Sequence, residues 1–426
     1  MDRQVKTIPY KNCFLQVEIP SRNLAFDVEP ADAHPAADPA GLVRSVIRNP
    51  IGTDSLEQMI RPHDKVLIIA DDNTRRTPAR LIIPVLLDEL NLAGVPDSGI
   101  TVLIASGTHR HMTAQEIDIK FGPGILSRVP VLFHKYKDPG ELRDCGVTRR
   151  GTEIRISRHV MEADFRIAVG DIIPHYPAGW SGGAKAILPG VAGEKTTAAI
   201  HYLGCRNPLI KGVDTEMRRE MEEVAQAVGL EFIVNTTLNR QGEVADVVAG
   251  HFIEAHRAGV ERSKKVYGVP VPESVDLCIS SATPVDFDLF QAAKGISAAE
   301  MVTLGGGEIV LVSGCVEGIS PAHPELADYM GRMSTAELWK LAESGLPPDP
   351  LTCAGAILIN TVRDKMAITV ATEGLTQDAC SSLGLGHVLP EHLSRYIQER
   401  ISAKPDLRVG ILKYSAELFP FEAPQT

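Results

Sequence analysis

Short apolar runs that alternate with stretches apolar at helical spacing constrain this chain more than any other feature. "KVLIIADD" (65–72), "ITVLIASG" (100–107), "VPVLFHKY" (129–136) and "FRIAVGD" (165–171) read as buried strands, each bounded by turn residues. Between the first two lies "ARLIIPVLLDELNLAG", a helical pattern closed by Gly94 with Pro96 just beyond. Such alternation predicts an α/β fold with mainly parallel strands and crossover helices. A second set begins near residue 270: "VDLCISSATP", a helix-like "FDLFQAAKGISAAEMVT", the strand pattern "GEIVLVSG" (307–314) and a last strand in "DLRVGILKYSAELFP". "PVPES" reads as a linker and "EPADAHPAADPAG" (29–41) as a connector, so two α/β domains are expected, 1–268 and 269–426, with an active-site cleft between them.

The whole-chain numbers exclude several classes. The 426 residues suffice for two or three domains with their own cores. Forty-three Lys+Arg against 54 Asp+Glu give −11, which argues against a nucleic-acid-binding surface and leaves small acids to be met by a local basic site. The seven cysteines are scattered and show no C-x-x-C spacing, which argues for a reducing compartment and against a structural zinc site. No apolar run approaches the length of a membrane span, and the first residues lack the apolar core of a signal peptide; a soluble, cytoplasmic protein is expected.

Polar residues collect just after the predicted strands: "ADDNTRRTP" (70–78), "SGTHRHM" (106–112) and "GDIIPHYPAGWSGGAK" (170–185). In parallel sheets, ligands bind outside the carboxyl ends of the strands, so Asp72, Arg75, His109, His175 and Lys185 are expected on one sheet edge. In the second domain "QAAKG" puts Gln291 and Lys294 on one helical face. Each element alone has an ordinary reading. Asp72 and Thr74 read equally as caps of the helix that starts near Pro78, Arg75 as a surface ion pair, His109 and His111 as loop histidines, and "SGGAK" as a turn with an exposed lysine. The last is not a P-loop, since the G-x-x-x-x-G-K-[ST] spacing is missing. Their joint placement is what points to chemistry. A guanidinium and an ammonium clamp a carboxylate, two histidines provide an acid/base group for each face of a substrate, and His201, on a predicted helix beyond the Gly-rich loop, is a candidate metal ligand. Two faces, one clamp and a metal suggest inversion of a stereocentre.

These motifs, with "PHYPAGWSGGAKAILPGVAG" the most specific among them, make the chain resemble the nickel-dependent lactate racemase family, which includes other 2-hydroxyacid racemases and epimerases. The resemblance implies a nickel-pincer nucleotide, a pyridinium-3-thioamide-5-thiocarboxylate mononucleotide carrying nickel, loaded by cofactor-biosynthesis proteins. By position Lys185 resembles the lysine that tethers the cofactor through a thioamide, and His201 the nickel ligand. His109 and His175 resemble the acid/base pair, and Arg75 and Lys294 the carboxylate clamp, with Asp72 and Gln291 beside them. Gly182 and Gly183 would let backbone N–H groups approach the nucleotide phosphate, and Asp72 is counted with them as cofactor-binding. The reaction implied is racemisation of a small 2-hydroxyacid by reversible hydride transfer through a 2-ketoacid.

Two departures bear on the substrate. Arg76 stands where the commoner family form has proline, and Trp180 where phenylalanine or tyrosine is usual; Trp180 is expected to shape the substrate wall. Arg76 turned inward would favour a larger or dicarboxylic 2-hydroxyacid such as malate or a sugar acid. Turned outward, the orientation favoured for a strand-to-helix turn, it leaves lactate preferred. The competing classes are a zinc hydrolase using His109, His111 and His175, and a binding module without a cofactor.

Overall fold

The apolar runs become strands that are buried on both faces, and alternate side chains serve two different cores. In the computed structural model, which describes residues 2–206, 212–321, 323–345 and 347–422, Val66 and Ile68 of the strand Val66–Asp71 pack into one hydrophobic cluster. Leu67 and Ile69 pack into another on the opposite side of the sheet. The helix Ala79–Leu92 contributes Ile82, Ile83, Leu86 and Leu90 to the first cluster, so its apolar stripe covers one sheet face.

The chain forms two compact units. The unit of residues 32–266 carries a six-stranded sheet in the order Val244–Gly250, Phe232–Leu238, Phe165–Asp171, Val66–Asp71, Ile100–Ala105, Val131–Phe133. All neighbours are parallel except the edge strand Val244–Gly250. The chain leaves Val66–Asp71 toward one side of the sheet and later returns to Phe165–Asp171 on the other. That reversal falls between these two central strands, and the carboxyl ends beside such a switch point are the usual ligand position in parallel sheets.

The other unit joins residues 1–31 to residues 267–426. Its six strands are all parallel, in the order Gly386–Val388, Ala367–Ala371, Thr303–Val312, Val275–Ser281, Val409–Leu412, Leu24–Val28. The expected first domain of 1–268 therefore differs in its first 31 residues: Leu24–Val28 hydrogen-bonds to Val409–Leu412 as the sheet edge, a pairing between opposite ends of the chain. "PVPES" is not a plain linker either, because Gly268–Val271 pairs in parallel with Phe419–Glu422. The expected strand over 129–136 shrinks to Val131–Phe133 at the sheet edge. Among the described residues no helix is long and apolar enough to cross a membrane, and all seven cysteines are free thiols.

The pairing of the two chain ends is testable. A Cβ on Gly410 would lie 2.2 Å from Cζ of Phe26, a ring that is buried against it. Gly410→Ala should expel that ring at a cost of about 1–3 kcal/mol, read by urea unfolding. Combined with Phe26→Ala it should cost less than the sum of the two single changes, whereas strict additivity would mean that the two residues do not touch.

Candidate active site

The segment after Val66–Asp71 is held from three directions. Asp72 is buried, 2% exposed, and its Oδ1 accepts the Thr74 N–H at 3.0 Å and the Thr74 hydroxyl at 2.5 Å. Its Oδ2 accepts Nδ1–H of His109 at 2.7 Å, from the segment after the neighbouring strand Ile100–Ala105. Beneath, the Lys120 ammonium donates to Asp71 Oδ1 at 2.7 Å and to the Arg75 carbonyl at 2.9 Å, while Thr77 Oγ1 donates to Asp71 Oδ2. Lys120 lies in the last turn of the helix Ala114–Phe121, whose Thr113–Glu116 capping box fixes its start.

The Asp72–His109 contact sets the chemistry of His109. A ring nitrogen facing a carboxylate must donate, so the neutral imidazole keeps its lone pair on Nε2 and can take a proton there. Burial pushes the Asp72 carboxyl up, but the His109 ring, Thr74 and Arg75 overcome this and hold it well below the usual carboxylate range. Both Asp72 oxygens accept from protein donors, and through Oδ2 the carboxylate orients the His109 ring.

The Gly-rich segment after Phe165–Asp171 is a compact fold of its own. Pro174–His175 pairs with Gly179–Trp180 around a short turn, and the 3₁₀ turn Gly183–Ala186 carries Lys185. Gly182 and Gly183 have φ of 74° and 58°, which favours glycine. A Cβ on Gly182 would stand 2.7 Å from Asn235 Oδ1, and one on Gly183 3.0 Å from the His256 ring. The Gly183 N–H donates to Asn235 Oδ1 at 2.8 Å. Its expected use for a phosphate is therefore corrected: this N–H ties the loop to the strand Phe232–Leu238.

Trp180, expected on the substrate wall, is 0% exposed and presents no surface to a ligand, which corrects that expectation. Arg76 donates through Nη1 to the Arg240 carbonyl at 2.9 Å, in the turn between Phe232–Leu238 and Val244–Gly250.

His201 lies on the helix Glu194–Arg206, as expected, and its Nδ1 donates to the Thr197 carbonyl at 2.7 Å. This back-bond fixes the ring and gives the neutral tautomer an Nε2 lone pair, the arrangement typical of metal-ligating histidines. In the other unit, Asp288 caps the helix Leu289–Glu300 through Gln291 N–H at 2.7 Å, and Lys294 Nζ donates to Gln291 Oε1 at 2.6 Å. The predicted common face of Gln291 and Lys294 is thus present. Among the described residues no three His, Cys, Asp or Glu side chains are grouped so as to hold a metal ion. His111 stacks on Phe133 at 5.0 Å and 20° while His109 is bound to Asp72, so the three-histidine zinc site weighed from the sequence is not assembled.

Sequence reasoning missed Lys120, Arg218, Asn235 and His256. Asn235 alone carried a signal, as an amide within the apolar strand pattern "FIVNTTL"; the others look like ordinary helix residues.

A parallel α/β sheet with acid/base and cationic side chains at its carboxyl edge marks an enzyme acting on a small anion. The family model of the lactate racemase N-terminal domain matches residues 10–210. The chain is 32% identical over 319 residues to the lactate racemase of Lactiplantibacillus plantarum, covering 73% of this chain and 75% of that protein. It is 31% identical over 282 residues to the lactate racemase of Thermoanaerobacterium thermosaccharolyticum, 65% of this chain and 66% of that one. The lactate racemase apoprotein structure from the latter organism aligns with a TM-score of 0.88 at 23% identity, covering 98% of this chain and 100% of that chain. A Thermotoga maritima protein aligns with a TM-score of 0.72 at 18% identity, covering 92% and 100%. The two structures speak to the fold alone. The chain belongs to the lactate racemase family, and it is an enzyme of the racemase class.

The Asp72–His109 pair has a pH signature. A carboxyl whose folded pKa is depressed contributes stability that is fully present above its unfolded value, about 3.9, and is lost as pH falls through the folded value. Unfolding free energy followed by urea titration from pH 6 to 2 should fall less steeply at its acid end in Asp72→Asn than in wild type. Identical acid limbs would remove Asp72 as the titrating group.

Proposed function

We propose that the chain racemises lactate, with a nickel-pincer nucleotide tethered to Lys185 and its nickel bound by His201. The observation that carries the reading is the Asp72–His109 pair beside Arg75, joined across the ends of two adjacent parallel strands. The donor set fits the group: His201 is a single oriented imidazole with no protein metal cluster among the described residues, which suits a metal whose other ligands come from an organic pincer. Bound there, the nucleotide supplies a reversible acceptor for the substrate's α-hydrogen as hydride.

The chain's own residues do the rest. Arg75 holds the substrate carboxylate through a charge-assisted bond. His109, oriented by Asp72, takes or returns the hydroxyl proton at Nε2, and His175 does so for the opposite enantiomer. Two bases are needed because the hydroxyl points to opposite sides in the two mirror images. Gly182 is retained as a backbone contact for the nucleotide. Arg76 donates through Nη1 to the Arg240 carbonyl, which supports lactate over a dicarboxylic acid.

His109→Ala and His175→Ala should each lower turnover by about 10²–10⁴ while still binding nickel; loss of nickel in either, with nickel kept in His201→Ala, would exchange the roles. Intact-mass and peptide analysis of active enzyme should place the adduct on Lys185 and find none in Lys185→Ala. The substrate reading is checked by Arg76→Met, which should leave the lactate-to-malate activity ratio unchanged. A selective loss of malate turnover would restore the dicarboxylate assignment.

A further inference from the structure

Three successive carbonyls of the Gly-rich loop are gripped from within by two helix-borne side chains. Arg218 donates through Nη2 to the Trp180 carbonyl and through Nη1 to the Gly182 carbonyl at 3.1 Å. Between them, His256 Nε2 donates to the Ser181 carbonyl at 2.8 Å. Arg218 lies in the helix Glu216–Ala227, whose capping Thr215 accepts its N–H at 2.8 Å, and His256 in the helix Glu254–Tyr267.

Arg218 is an unusual thing to bury. It is 0% exposed, no carboxylate lies within ion-pair distance of it among the described residues, and its Nε has no partner. Glu222, the acid whose charge it feels, is engaged with Arg257 at 2.7 Å. Burial pushes the guanidinium down to about 10, so it stays charged at neutral pH. An unpaired buried cation is costly, and an apolar side chain would fill the space at less cost. The loop's geometry accounts for its presence. A peptide N–H points opposite to its own carbonyl, so drawing three carbonyls inward turns the next three N–H groups away from Arg218 and His256. Two of these are tied down, Ser181 N–H to the Ile173 carbonyl and Gly183 N–H to Asn235. The Gly182 oxygen that accepts from Arg218 also accepts the Lys185 N–H at 3.2 Å, so the guanidinium and the Lys185 backbone share one acceptor.

We propose that Arg218, with His256 as its partner, is a positioning residue for Lys185: it fixes the turn from which the lysine reaches its cofactor and keeps the loop's carbonyl dipoles away from that anionic group. The proposal rests on the reading of Lys185 as the tether. A guanidinium spans two carbonyls that are two residues apart, and neither a lysine nor an apolar residue does so.

The test separates loop order from tethering. Hydrogen–deuterium exchange on cofactor-free, full-length Arg218→Met and Arg218→Lys should show peptides over 176–190 exchanging at least tenfold faster, with those over 66–71 and 232–238 unchanged. Protein produced together with the cofactor-loading system should then lose most of the Lys185 adduct in both variants. Unchanged loop exchange, or a full adduct in either variant, would overturn the proposal. Should Arg218→Met not fold, the middle carbonyl decides: His256→Gln keeps a donor and should keep loop protection, and His256→Phe should lose it. Equal behaviour of that pair would count against the grip. A wild-type enzyme that is active without any Lys185 adduct would refute the tether reading alone, and the exchange measurement would still decide whether Arg218 orders the loop.

Discussion

The strands Phe165–Asp171, Val66–Asp71 and Ile100–Ala105 lie side by side at the centre of a parallel sheet covered on both faces, and the rest of the site depends on that burial. A polar side chain inside such a strand would be desolvated without a partner. Polar groups therefore concentrate where the strands stop, and because parallel strands all stop on the same side, segments distant in sequence meet there. Asp72 and His109, 37 residues apart, touch at 2.7 Å for this reason.

Buried charge then gives these segments definite shapes. Lys120 draws Asp71 and the Arg75 carbonyl together from below, Asp72 orients His109, and Arg218 with His256 holds the Gly-rich loop by its carbonyls. Each of these ions or rings is more costly to bury than an apolar side chain, and each acts on a loop that has no ladder of its own. The common effect is pre-organisation. On the proposed reading, the side chains that approach the substrate sit on backbones whose freedom has already been removed.

How far a residue was legible follows from whether its role is local. His201 was found on a helix because helical spacing and the preceding Gly-rich loop are both local signals, and Gln291 and Lys294 shared a face because they stand three apart on one helix. Trp180 was misplaced because the sequence shows its size and not its depth. Arg76 was left between two orientations because the carbonyl it binds belongs to Arg240, 164 residues away. Gly183 was read as offering its N–H to a phosphate, but that N–H goes to Asn235, a residue 52 positions away.

Sequence alone determined the α/β class, the central strands and the polar segments at their carboxyl ends, since hydrophobic period and turn residues are written within windows of about ten residues. Only the tertiary structure decided that Leu24–Val28 closes the sheet of the far end of the chain. It alone decided, too, that Asp72 serves His109 and that a buried Arg218 lies under the lysine loop. Those are contacts between residues far apart in the chain, selected by packing and by the need of every buried polar group for a partner, and no local pattern encodes them.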